Sequence, residues 1–390
     1  MPRASALKVV TDQPFYSKEL DFSNAAEGQA HSLHYAVSMP KGMRVGAAAH
    51  CLKNFSAPGE VVVDPFCAGG ETLLEAALLG RVPRGSDINP LALRVAAAKL
   101  HPVDITAVTL KLQQINLRAP IGSKIYSQYF SPFYEINTFR EIFNLRKFLQ
   151  GNFDPASRFI EMLALGLLHG PGAGSFSVYT FPQQALPPAE QLQLNAKRRQ
   201  VPDYRAVAPR LLRRAAAVTR DGLPSVLQRS GEAARLALRD ARDLGHLQSE
   251  SADLLLTKLP LPSSNSFVEG LWLKLWFAGI AAESFSSALA SRLSLDSWLE
   301  FMNESLLEMA RVLKSGRRAA LEIEDVRLKG ETRLLDECLI GMVERDLARY
   351  WNVEGVLINR ERSATMKNSF RSKEASVGRG NNRVLLLKRR

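Results

Sequence analysis

Two hydrophobic patterns divide the chain. Between residues 60 and 100, short apolar runs alternate with stretches of helical period. Val61-Val62-Val63 is a β-branched run suited to a strand buried on both faces. Asp64 to Gly70 is rich in turn-forming residues, Thr72 to Leu79 reads as a helix stopped by Gly80, a short segment reaches Asp87, and Leu91 to Leu100 is helical again. Strand, helix, strand, helix predicts a βαβ unit and hence an α/β protein with a parallel sheet. From 110 to 230 strand signals are sparse. Helical stretches such as Arg158 to Leu168 dominate, and the Gly-rich segment from His169 to Gly174 reads as a flexible loop. The sheet pattern resumes near 235. Ala252 to Thr257 predicts a strand ending in the turn Lys258-Leu259-Pro260-Leu261-Pro262, and helices follow over Val268 to Gly279 and Ser297 to Leu313. The second helix carries Trp298, Phe301, Met302, Leu306, Met309 and Leu313 at three- and four-residue spacing, with Gly316 as its expected cap. Ala319 to Ile323 and Val384 to Leu387 close the chain as strands. The expected organisation is a polar, irregular lead-in over 1–30, a core formed by 31–105 and 235–390, and a helical insertion over 106–234.

Composition adds a polyanion to this picture. The 390 residues hold 51 Lys and Arg against 39 Asp and Glu, a net charge of +12. Such a surplus suggests nucleic acid as a partner. The three cysteines, Cys51, Cys67 and Cys338, have no CxxC spacing, which excludes a disulfide scaffold and a zinc knuckle and fits a reducing cytosol. No apolar run is long enough for a membrane span, and the first residues lack the apolar core of a secretory signal, so a cytoplasmic location of prokaryotic type is expected. The histidines are scattered without metal-ligand spacing, and Ser175 and Ser177 lack the context of a nucleophile elbow.

The strongest chemical signal is the run from Val61 to Thr72. Gly69-Gly70 at the exit of a first strand allows close approach of the backbone to a ligand, and Asp87 ends the next strand, where a carboxylate can accept both ribose hydroxyls of a nucleoside cofactor. The plainer alternative is an ordinary turn that needs glycine for its geometry, and spacing alone does not decide between them.

Beyond spacing, the residues themselves carry a resemblance. Asp64-Pro65-Phe66-Cys67 with Gly70, then Leu74-Glu75-Ala76-Ala77-Leu78-Leu79-Gly80 and Asp87-Ile88-Asn89-Pro90-Leu91-Ala92, closely resemble the cofactor motif of S-adenosylmethionine-dependent DNA amino-methyltransferases, which methylate adenine N6 or cytosine N4. His31 to Tyr35 stands loosely in the place of the family's N-terminal cofactor segment. Asp240-Ala241-Arg242-Asp243-Leu244 looks like its acidic loop, Leu271 to Gly279 like the helix after the catalytic loop, Arg311 to Gly316 like its Arg-Val-Leu-Lys-Pro-Gly, and Asn382-Arg383-Val384-Leu385 like its terminal strand. The resemblance implies a Rossmann-like methyltransferase sheet with helices on both faces. It also implies an S-adenosylmethionine site at Asp64, Phe66, Ala68, Gly69, Gly70, Asp87 and Asp240. Double-stranded DNA would be the partner, and a restriction or defence protein a further one. An RNA guanine-N2 methyltransferase, whose cofactor loop looks alike, is a second alternative.

Two loops depart from the family. Its Asp-Pro-Phe-Cys-Gly-Ser-Gly-Thr-Thr becomes a run with Ala68, Gly69 and Glu71 in place of the first glycine, the serine and the first threonine. Glu71 suits a helix N-terminus but would oppose the carboxylate of the cofactor. The family's Ser- or Asp-Pro-Pro-Tyr at the end of the fourth strand is matched here by Lys258, Leu259, Pro260 and Leu261. In the family the first side chain and the next carbonyl accept hydrogen bonds from the target amino group, and the aromatic ring stacks on the flipped base. Lys258 has only donors and Leu261 has no π face. One lost transition-state hydrogen bond costs on the order of 3 kcal/mol, roughly a hundredfold in rate, so the expectation is base methylation weakened or absent. A protein that binds DNA or a partner without catalysis is the first alternative.

Lys197, Arg198, Arg199, Arg205, Arg213 and Arg214 make a candidate DNA-contacting face within the insertion, against the commoner fate of a solvated helix surface. Lys367, Arg371, Lys373, Arg379 and Arg383 read similarly in the tail. Cys67 is expected to pack beside the cofactor loop, His169 to be a loop residue, and Trp272 and Trp276 to be core.

Overall fold

The computed structural model describes residues 30–37, 39, 42–122, 124–181, 184–262, 268–328, 331–359 and 383–390, together with the backbone of 17–20. In chain order the strands are β1 (Ser17–Leu20), β2 (Val61–Asp64), β3 (Val82–Asp87), β4 (Arg235–Leu238), β5 (Ala252–Lys258), β6 (Leu313–Ile323), β7 (Val326–Leu328), β8 (Glu331–Arg333), β9 (Trp351–Asn359) and β10 (Arg383–Arg389). Helices α1 (Val45–Phe55), α2 (Glu71–Leu78) and α3 (Pro90–Leu100) alternate with the first strands. Helices α4 (Ile105–Gln113), α5 (Ile136–Gln150), α6 (Pro155–Leu167), α7 (Pro188–Arg198), α8 (Val207–Val218) and α9 (Ser225–Ala233) fill the interval before β4. Then come α10 (Trp272–Ala278), α11 (Glu283–Ser286), α12 (Leu295–Val312) and α13 (Leu335–Asp346).

The main sheet has the order β1-β9-β10-β6-β5-β2-β3-β4, and every neighbouring pair is parallel except the two made by β10. The chain winds outward from β2 through β3 to β4, then returns to β5 and winds the other way. The switch point therefore lies between β2 and β5, where open α/β sheets bind ligands at the carboxyl ends of the strands. This is the Rossmann-like α/β sheet that the sequence implies.

The alternating residues of the central strands explain the helices on both faces. Val62, Leu254, Leu256 and Ala320 pack with Ala47, Ala48 and Leu52 of α1, whereas Val63, Leu255, Ala319 and Leu321 pack with Trp298, Met302, Leu306 and Leu339 of α12 and α13. A strand buried on both faces has no polar side to alternate with, hence the unbroken Val61-Val62-Val63. Local signals set the helix starts. The Asn89 side chain caps α3 by accepting from the Leu91 amide at 3.0 Å, with Pro90 in the first turn, and Asp154 with Pro155 does the same for α6.

Over 106–234 the described residues contain helices and no ladder strand, the isolated bridge of Gly170 to Tyr179 aside. Their core is aromatic. Phe130 lies 4.4 Å from Trp276 and 5.7 Å from Trp272, centroid to centroid, so α10 packs on this helical region through two partly buried tryptophans.

The structure corrects the sequence reading at four points. Ser17–Leu20, within the supposed irregular lead-in, extends the sheet as a parallel partner of β9. Gly316 does not cap α12, because the helix passes straight into β6 at Leu313. Gly316 sits inside that strand at φ 76, where β6 carries extra residues between its pairings with Ala252 and Leu254, as a bulge requires. His169 is not a loose loop residue. It is buried, with Nδ1 toward the Phe181 carbonyl at 3.1 Å and Nε2 accepting from buried Lys274 at 3.0 Å; burial drives its pKa down to about 3. Arg383 is buried between Asp325 and Asp336, not part of a basic surface, and the remaining tail residues Lys367, Arg371, Lys373 and Arg379 lie outside the described residues.

Candidate functional site

Four strand ends meet at the switch point. Asp64 ends β2, Asp87 ends β3, Asp240 follows β4, and Lys258 ends β5. Between them lies a cavity of about 100 Å³ whose wall includes Phe66, Ala68, Asp87, Asp240, Lys258 and Pro260.

The loop after β2 is a tight turn. The Gly70 amide donates to the Cys67 carbonyl at 2.7 Å, and the Cys67 amide donates to the Ser86 carbonyl at 3.1 Å, so the turn is stitched to β3. Ala68 and Gly70 take left-handed backbone, at φ 42 and φ 76, while Gly69 does not. The shift of glycine by one position thus leaves an alanine at a left-handed position, at a cost of about 1 kcal/mol. Gly70 has a second reason to be glycine, because a Cβ there would meet the backbone of Ala96 in α3 at 2.8 Å.

Asp87 organises the cavity. Its Oδ2 accepts from the Ala68 amide at 3.0 Å and its Oδ1 from the Asn89 amide at 2.8 Å. A carboxylate offers about four lone-pair directions, so two backbone donors leave each oxygen able to accept one more hydrogen bond. Burial pushes its pKa up to about 6 against the pull of those amides. Asp64 has a different part. It lies beneath the loop and accepts from the Phe66 amide at 3.2 Å and from the Thr257 hydroxyl at 2.5 Å, tying β2 to β5, and burial raises its pKa to about 7. Asp240 is on the wall, but Arg242 grips its carboxylate through Nε and Nη2, each at 3.0 Å. Cys67 is buried behind the loop, and burial raises its thiol pKa.

The β5 end is occupied by its own partners. Lys258 Nζ forms an ion pair with Glu324 at 2.6 Å, its side chain 10% exposed. The Leu259 amide donates to the Glu322 carbonyl at 2.9 Å, and the side chain is core. The Pro260 carbonyl accepts from the Trp298 indole at 2.7 Å, and Leu261 packs partly buried against the α12 cluster.

Glu71, which opens α2, is balanced by a residue the sequence pattern does not single out. Lys99, fully buried on α3, donates to Glu71 Oε1 at 2.9 Å. Nothing in the Ala-rich sequence around Lys99 marks it as buried. Other wall residues that the sequence does not flag for the site are Met39, Phe301 and the segment Ala288 to Ala290. Phe301 is legible only as one more apolar position of a helix, and its ring stands 6.0 Å from that of Phe66.

The basic candidates separate. Lys197, Arg198, Arg199 and Arg213 are exposed, with the Arg198 guanidinium 3.7 Å over the Tyr179 ring. Arg205 is held by Asp203 at 2.9 Å and by the Ser175 and Ser177 carbonyls, and Arg214 by the Tyr35 and Ala36 carbonyls, so these two fasten loops. Among the described residues no cluster of His, Cys, Asp or Glu could hold a metal, and no helix is long and apolar enough to cross a membrane.

No protein-family model matches the chain, and no curated protein matches it in sequence. Solved structures similar to it include an rRNA methylase from Streptococcus thermophilus, at 9% identity, covering 89% of this chain and 97% of that one, with a TM-score of 0.35. Another is an rRNA methyltransferase from Streptomyces viridochromogenes, at 15% identity, with coverage of 95% and 94% and a TM-score of 0.33. A third is a TehB-like S-adenosylmethionine-dependent methyltransferase from Corynebacterium glutamicum, at 8% identity, with coverage of 88% of each chain and a TM-score of 0.33. With scores this low, the fold rests on the strand order described above.

Proposed function

We propose that this chain binds S-adenosylmethionine at the switch point and associates with nucleic acid, DNA by its sequence motifs, while its capacity to methylate an exocyclic base amino group is strongly reduced. The observation that carries the reading is the contrast between Asp87, an acceptor on the cavity wall positioned by backbone amides, and Lys258, a donor whose ammonium is paired with Glu324.

The residues fit a nucleoside cofactor. Asp87 can take both hydroxyls of a ribose, Phe66, Ile88 and Ala241 offer apolar surface to an adenine, and Gly70 lets the loop pack closely on α3. When bound, S-adenosylmethionine supplies an electrophilic methyl group. What the chain offers an amine beside it is poor. An attacking amino group needs an acceptor to draw off its protons and localise its lone pair, and Lys258 presents donors only. Of the family's two acceptors only the carbonyl after Lys258, that of Leu259, keeps its place, and the Pro260 carbonyl beyond it is engaged by Trp298. The exposed run Lys197, Arg198 and Arg199 with Arg213 supports a phosphate-contacting surface, because such charges bind a backbone without reading its sequence.

The test has two steps. Calorimetric titration with S-adenosylmethionine and S-adenosylhomocysteine is expected to show micromolar binding, and absence of binding at millimolar ligand overturns the cofactor assignment. Radiolabelled methyl transfer to mixed genomic DNA, with total RNA in parallel, is expected to give at most trace incorporation into DNA. Transfer to DNA at the rate of an ordinary amino-methyltransferase overturns the reduced-activity assignment, and preferential labelling of RNA replaces DNA as the partner.

A further inference from the structure

A second cavity, of about 340 Å³, opens among His34, Tyr35, Val37 and Met39, the start of α2, the end of α6 with the loop after it, and α8. His34, Met39, Glu71, His169, Ser175 and Arg214 are on its wall. Met39 also lines the first cavity, so the two adjoin at that side chain. Three polar atoms carried by the wall residues are buried without a protein partner, namely His34 Nδ1, Glu71 Oε2 and Arg214 Nε. The His34 side chain is only 2% exposed, and its other ring nitrogen is already taken by Glu75 at 3.0 Å. Buried polar atoms are nearly always paired, so three orphans on residues that line one cavity point to a ligand that brings both donors and acceptors.

Glu71 defines which ligand. Its Oε1 is held by the fully buried Lys99. Its carboxylate lies against Gly42 and Gly69, where a Cβ on either glycine would collide with its oxygens, so the backbone has been cleared for it. Oε2 is left as a charged acceptor without a donor. Arg214 supplies the opposite character, an N–H on a cation whose Nη2 is anchored by the Tyr35 and Ala36 carbonyls. An acceptor carboxylate and a donor guanidinium on one wall suit a zwitterion.

Resting on the cofactor assignment above, we infer that Glu71 Oε2 receives the ammonium group of the cofactor's amino-acid end, with Arg214 on the side of its carboxylate, which makes Glu71 a specificity-determining residue for that end. The departure of Glu71 from the family loop is then part of the recognition, because Lys99 leaves Glu71 one oxygen to offer and the ligand's positive group, not its carboxylate, faces it.

The experiment is calorimetric titration of the full chain and of Glu71→Gln with three nucleosides: S-adenosylhomocysteine, its analogue lacking the amino group, and 5′-methylthioadenosine, which lacks the amino-acid end. For the unmodified chain, removing the ligand's amino group is expected to weaken binding about tenfold or more. Glu71→Gln is expected to lose the same factor on S-adenosylhomocysteine, nothing further on the analogue without the amino group, and nothing on 5′-methylthioadenosine, whose retained binding also reports a folded site. Equal affinity of the unmodified chain for the ligands with and without the amino group overturns the inference, as does an equal effect of Glu71→Gln on all three. Failure of the unmodified chain to bind any of the three overturns the cofactor assignment and this inference with it.

Discussion

The ends of β3 and β5 stand on the same rim and face the same cavity, yet they differ in what they leave for a ligand. At β3, backbone amides position Asp87 and leave each of its oxygens with an acceptor direction to spare. At β5, the side chain and the Pro260 carbonyl are matched by protein groups, Lys258 by Glu324 and Pro260 by Trp298. On the proposed reading, one Rossmann-like sheet keeps a nucleoside-binding end and loses an amine-activating end independently, since different strands carry them. The packing that holds the rim together, including the Asp64 to Thr257 bond between β2 and β5, does not depend on which half is functional.

The β3 end depends on one side chain. Asp87→Ala removes the ribose acceptor and strands the Ala68 and Asn89 amides, so binding of S-adenosylhomocysteine should weaken roughly a hundredfold, read by calorimetry. Retained affinity would mean that the β3 end is no more than a structural turn. The weak end can be sharpened instead. Lys258→Asn combined with Leu261→Tyr restores an amide acceptor and an aromatic face, and methyl transfer to DNA should rise roughly ten- to a hundredfold in a filter-binding assay. If the double variant gains nothing, the block on chemistry lies elsewhere than in the β5 loop.

The remaining effects are smaller. Replacing Lys197, Arg198 and Arg199 with alanine should weaken DNA binding about tenfold and flatten its salt dependence by roughly one unit of slope for each phosphate that is no longer neutralised. A salt slope identical to that of the unmodified protein would leave these side chains as a solvated surface. A pH effect follows from burial of Asp87, whose pKa is raised to about 6. The ionised carboxylate is the better acceptor, so nucleoside affinity should fall as pH drops through that value, by about tenfold between pH 7 and pH 5, with proton release on binding near pH 6. Buffers of different ionisation enthalpy would reveal that release. Smallest is Ala68→Gly, which relieves a left-handed alanine but loosens the unfolded chain, for a net gain of about 0.5 kcal/mol and a thermal midpoint higher by ~1 °C.

Legibility in the sequence differs along the same rim. Val61-Val62-Val63, Asp87 and the helix starts are local signals, fixed by β-branching, caps and turn residues within a few positions, and they can be read directly. The role of Lys99 cannot, because it depends on Glu71, 28 residues away, and on the packing of α3 against α2. Arg205 and Arg214 look like Lys197 and Arg213 in sequence, and only tertiary contacts with distant carbonyls separate fasteners from exposed charges. Gly316 reads as a cap because a glycine shortly after an apolar helix usually is one, whereas here the positive φ serves a strand bulge. Pairings across the fold, not local propensity, decide which polar groups remain for a ligand.

The bond between the Trp298 indole and the Pro260 carbonyl gives the molecule an intrinsic optical reporter. Trp298 is one of four tryptophans and is fully buried, while the carbonyl it holds belongs to a residue of the cavity wall. Indole emission responds to the strength of that one hydrogen bond. A nucleoside settling against Pro260 should therefore register as a spectral shift in unlabelled protein, one that Trp298→Phe removes while the other three tryptophans go on emitting.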